Sequence, residues 1–163
     1  MSANGVVIRV LFVGAIQEAG RLREFLESNG PAPFQVTPVA GMDLAAKRIS
    51  GGEADVLLLD LGSRPSHARA LVEAARTAAS DLPIVILSDS EDETLAMDAL
   101  QHGVQDFLAK RQLDRATLAR SLRYSIERHH LQKTLQSLSL MDDLTGLHNR
   151  RGFLALAEQH LRV

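Results

Sequence analysis

Three polar residues close or directly follow runs that are otherwise apolar. Asp60 ends VLLLD, Ser88 ends IVILS and Lys110 ends DFLAK. If these runs are parallel strands, their carboxyl ends line one crevice, the usual place for a ligand in an open sheet. A carboxylate, a hydroxyl and an ammonium gathered there suit phosphoryl chemistry on an aspartate. Asp60 would be the nucleophile, Ser88 a hydrogen-bonding switch for a phosphoryl oxygen, and Lys110 a charge clamp. A purely structural reading stands beside this one. Asp60 and Lys110 would form a buried ion pair, kept because losing one partner strands the other, and Ser88 would be a capping hydroxyl. Other chemistry has less support. The chain has no cysteine, which removes thiolate catalysis, disulfides and zinc-thiolate sites. His129 and His130 are adjacent, so they point to different faces of a helix. With His148 and His160 they lack the i, i+4 spacing of a helical metal site.

The elements that must position the trio are β-α units. Val6 to Val13, Val56 to Asp60 and Ile84 to Leu87 are near-continuous apolar runs, as expected of central strands covered on both faces. Phe34 to Val39 carries Pro38, which cannot donate to a ladder and so belongs on an edge strand. Val104 to Leu108 is the fifth, short strand. Helical faces lie between them: Leu22, Phe25 and Leu26 before Gly30, and Leu44, Ala45 and Ile49 before Gly51 and Gly52. The alanine-rich stretch Ala68 to Ala79 follows, then Leu95, Ala96, Ala99 and Leu100, ended by Gly103 at a C′ position. Alternation of this kind predicts an α/β fold with a parallel sheet. Asp114 is the expected N-cap of a last helix, whose apolar spacing runs through Leu118, Leu122, Ile126, Leu131, Leu135 and Leu138 without Gly or Pro until Gly146. Its heptad-like set Tyr124, Leu131 and Leu138, with Leu135, fits a two-helix seam between copies. An amphipathic helix packed back on its own domain fits the same residues.

Composition narrows the partners. Of 163 residues, 45% are hydrophobic and 23% charged, which is ordinary globular usage. With 18 basic and 20 acidic residues the formal charge is -2, so there is no electrostatic footprint for nucleic acid or an anionic membrane. No stretch has the length of a membrane span, and Met1 to Gly5 lacks the blocks of a signal peptide; the expected location is cytoplasmic.

The three motifs LLLDL, IVILS and DFLAK, at this spacing, resemble a response-regulator receiver domain over about Val6 to Arg120. The resemblance implies a doubly wound, flavodoxin-like five-stranded sheet in the order 2-1-3-4-5 with an extended C-terminal helix. It implies a histidine kinase or another regulatory protein as partner. It also makes Asp60 the phosphoacceptor, Ser88 and Lys110 the phosphoryl contacts, and Phe107 the switch-aromatic position, although a phenylalanine there is more often simply core. The family pocket holds Mg²⁺ through an acidic pair after the first strand, where this chain has Gly14 and Ala15. Mg²⁺ needs near-octahedral oxygen coordination, so Asp60 without those acids is a poor site and no cofactor is expected. Glu18 lies near, and is expected to point outward. Asp89 after Ser88 adds a charge that repels a phosphoryl group, and Arg111 follows Lys110 where the family has a proline.

From Asp142 to Phe153 the chain reads DDLTGLHNRRGF, which resembles the opening turn of GGDEF diguanylate cyclases, with Asp142, Gly146, Asn149 and Arg150 as the turn residues. The metal-binding aspartates, guanine contacts and GGDEF signature of that family do not follow within the sequence. The chain is therefore expected not to be an enzyme itself, and to be a fragment of a longer regulator. The expected organisation is a receiver-like domain over residues 1–120, a signalling helix over 121–141 and the start of a GGDEF domain over 142–163. The expected function is a pseudo-receiver that homodimerises through the receiver and linker helix and controls a cyclase in cyclic di-GMP signalling. The alternative is a true phospho-receiver that uses Asp60.

Overall fold

The computed structural model describes residues 7–27, 34–62, 65–138 and Leu147. The chain divides into two units, Met1–Glu127 and Arg128–Val163. In the first unit, strands β1 (Ile8–Val13), β2 (Phe34–Val39), β3 (Val56–Asp60), β4 (Ile84–Ser88) and β5 (Asp106–Ala109) alternate with helices α1 (Ile16–Glu27), α2 (Met42–Ser50), α3 (Pro65–Ala78) and α4 (Glu93–Gln101). A 3-10 turn over Lys110–Gln112 leads into α5 (Arg115–Leu138). All strand pairs are parallel and the order is β2-β1-β3-β4-β5, as the sequence predicts. Pro38 lies on the outer strand, where its missing N–H leaves no ladder bond unmade.

Side chains alternate between two cores. On one face Leu11, Val13, Leu57, Leu59, Ile84 and Ile86 meet Ala45 of α2, the alanines of α3 and Ala99 of α4. On the other, Val10, Phe12, Leu58, Val85 and Leu87 meet Leu22 and Leu26 of α1 and Leu118 and Leu122 of α5. The small residues Ala68 and Ala75, and Ala79 just after the helix, are buried, so α3 lies close against the sheet. α5 keeps this contact past residue 120, through Leu122 and Ile126. In the second unit, Leu131 and Leu135 of α5 are exposed.

The fifth strand starts two residues later than the apolar pattern predicts. The Val104 N–H donates to the Ala99 carbonyl and so closes α4, and only from Gln105, whose N–H donates to Ile84, does the chain join the sheet. Gly52 and Gly103 take φ of 68° and 85° after α2 and α4, the left-handed conformation that ends a helix. Asp114 caps α5 as expected, its carboxylate accepting from the Thr117 N–H at 2.6 Å. That bond and a second from Thr117 hold its carboxyl below the usual range. No described helix is long and apolar enough to cross a membrane.

Candidate functional site

The ends of β3, β4 and β5 bring Asp60, Ser88 and Lys110 to one rim of the sheet, because parallel strands in register end together: Asp60 pairs with Leu87 and Ser88 with Ala109. Lys110 Nζ lies 2.7 Å from Asp60 Oδ1 and donates to Oδ2 at 2.8 Å. The Asp60 side chain is 4% exposed and that of Lys110 18%, so the pair is shielded from water. Asp60 Oδ1 also accepts from the Gly62 N–H at 2.9 Å, in a turn where Gly62 takes φ of 58°. Burial works against the Lys110 ammonium, but the bond to Asp60 and its charge, with Asp89 adding to both, outweigh that and raise its pKa above the ordinary lysine value.

Asp89 reaches the same ammonium, with Oδ1 3.3 Å from Lys110 Nζ. Its charge is thus partly matched within the pocket. Ser88 is buried and its Oγ accepts from the Ser90 N–H at 3.0 Å, so the hydroxyl does hold the following turn. Phe107 is half-buried and packs against the α2-α3-α4 core. The Lys110-to-Gln112 turn contains no cis peptide bond.

A cavity of about 420 Å³ opens beside the pair, lined by Glu18, Arg21, Phe25, Asp60, Asp89 and Lys110 among others. Glu18, expected to point outward, is partly exposed and pairs with the exposed Arg21 at 3.7 Å in the first turn of α1, at the margin of this cavity. The sequence reasoning missed Phe12. A Cβ at Gly14 would lie 2.6 Å from Phe12 Cζ and 2.7 Å from Asp60 Cβ. The signal was available, since Phe12 and Gly14 stand two apart at the end of a strand and share a face.

The residues do not fit the Mg²⁺ that the receiver resemblance implies. Both Asp60 oxygens face Lys110, neither Gly14 nor Ala15 offers oxygen from a side chain, and no metal-binding group of three acidic, histidine or cysteine residues exists among the described residues. His129 and His130 therefore join no such group, while Asp142, Gly146, Asn149 and Arg150 lie outside the described residues.

No protein-family model matches the chain. Among curated proteins, the response regulator PleD of Caulobacter vibrioides is 29% identical over 124 residues, which is 70% of this chain. The chain spans about a quarter (27%) of that relative's length. Among solved structures, the signal receiver domain of a modulated diguanylate cyclase from Desulfovibrio desulfuricans G20 matches with 27% identity and a TM-score of 0.60, over 78% of this chain and 99% of that one. The signal receiver domain of an HD domain-containing protein from Pseudomonas fluorescens Pf-5 matches with 19% identity and a TM-score of 0.61, over 78% and 92%. Strand order, the rim that gathers Asp60, Ser88 and Lys110, and these likenesses agree: the chain carries a domain of the response-regulator receiver fold.

Proposed function

We propose that this chain is a pseudo-receiver, a regulatory module that pairs with a second copy and passes its orientation through α5 to a GGDEF diguanylate cyclase domain. The observation that carries the reading is the commitment of Asp60. Its carboxylate is held by the Lys110 ammonium and the Gly62 amide, and no carboxylate occupies positions 14 and 15. A phosphoryl group arriving there would meet two carboxylates, Asp60 and Asp89, already sharing one ammonium. The output side rests on the sequence DDLTGLHNRRGF after α5, and on likeness to PleD and to the receiver of a diguanylate cyclase. Cyclases that condense two GTP molecules held on two subunits are controlled by pairing, so an input module need only set how two copies meet.

The second reading, a phospho-receiver, is favoured by the convergence of Asp60, Ser88 and Lys110 at one rim. The experiment that separates the two is incubation of the full chain with a small phosphodonor and Mg²⁺, followed by intact mass. An unchanged mass is expected. Gain of one phosphoryl mass, lost in Asp60→Asn, sinks the pseudo-receiver reading.

A further inference from the structure

Positions 14 and 15 both lack a carboxylate, but the structure closes only one of them. Ala15 is exposed and its neighbourhood open enough to accept a longer side chain. Gly14 is different, since any Cβ there would collide with the buried ring of Phe12 and with the Asp60 side chain. Contacts of 2.6 and 2.7 Å are far inside van der Waals range, and Phe12 is fully buried, so the ring has no free space to retreat into. Lys110 meanwhile stands between Asp60 and Asp89, where a cation bound by both carboxylates would have to sit.

We propose that this pocket excludes divalent cations by construction, with the Lys110 ammonium bridging Asp60 and Asp89 as a permanent internal cation and the Phe12 ring and Asp60 Cβ together closing position 14. The exclusion has two separable causes, one electrostatic and one steric. Displacing the ammonium would strand a lysine beside a divalent ion, a like-charge contact in a shielded site. Supplying a carboxylate at position 14 requires both the Phe12 ring and the Asp60 Cβ to give way. The inference deepens the pseudo-receiver reading, yet it concerns cation binding and needs no phosphodonor, so the two fail independently.

The test is titration of the full chain with Mn²⁺ alone, read as paramagnetic broadening of the Asp60, Gly62 and Ser88 amide signals, with chain folding followed by circular dichroism. The unsubstituted chain is expected to show no saturable broadening at millimolar Mn²⁺. Lys110→Met should gain it, because Asp60 and Asp89 are then left without their cation. Ala15→Asp should fold normally and still not bind, and Gly14→Asp/Ala15→Asp should not bind either, because the Phe12 ring and the Asp60 Cβ leave no room at position 14. Gly14→Ala, which adds only the Cβ, should melt below the parent. Saturable broadening in the unsubstituted chain overturns the proposal whatever the variants do. Binding by Gly14→Asp/Ala15→Asp with Phe12 intact overturns the steric part, and a Lys110→Met chain that folds but shows no gain overturns the electrostatic part.

Discussion

The Asp60 carboxylate and the Lys110 ammonium are each costly to hold away from water, and each is tolerable because of the other. Replacing Lys110 by methionine keeps most of the stem's packing and removes the charge. The expected loss is about 2–4 kcal/mol of unfolding free energy in urea melts, since a nearly buried Asp60 is then left without its cation. Lys110→Met/Asp60→Asn should recover part of it, and a double variant no more stable than the single one would show that the pair does not couple. The pH dependence follows from the raised Lys110 pKa. A lysine that binds its proton more tightly when folded contributes stability fully below the unfolded lysine pKa, and loses it as pH rises through the folded value. The gap between parent and Lys110→Met should therefore be flat across neutral pH and narrow only in alkaline solution, above the ordinary lysine range. A gap that closes at neutral pH would contradict the assignment.

At the scale of elements, the ends of α4 make a direct prediction. Asp92 accepts from the Thr94 and Leu95 amides at 2.9 and 3.2 Å and so satisfies two of the helix's free donors. Asp92→Ala should cost about 1 kcal/mol in the same melts. At the other end Gly103 holds φ of 85°, so Gly103→Ala should cost about 1–2 kcal/mol, with the nearby Arg76 guanidinium swinging away at little expense. The glycine that ends α4 was legible because only glycine enters the left-handed region freely, and Pro38 announced an edge strand because a proline has no N–H to give. Central strands were legible as unbroken apolar runs. The start of β5 was not, because Val104 is apolar for the sake of the core while its backbone belongs to the end of α4. Polar rim residues were found where a strand's apolar run stops. What Lys110 touches, and what Phe12 fills, depended on side-chain reach between strands, which no linear pattern records.

For the molecule as a whole, the last helix decides whether the proposed function has a physical route. In the first unit α5 buries Leu118 and Leu122 against the sheet, while Tyr124 is 63% exposed. In the second unit Leu131 and Leu135 of the same helix are 62% and 67% exposed. Tyr124 and Leu131 are seven residues apart in sequence, with Leu135 four further on, the spacing of one stripe of a two-helix seam. Large apolar side chains repeated along one stripe are costly in water and gain most from a matching stripe, which a second copy supplies by symmetry. Sedimentation of the full chain should then give a dimer at tens of micromolar. Leu131→Glu/Leu135→Glu should shift it to monomer with an unchanged circular dichroism spectrum, because neither side chain belongs to the receiver core. A parent chain that sediments as a monomer at that concentration would remove the seam, and with it the route proposed for setting the pairing of a cyclase domain.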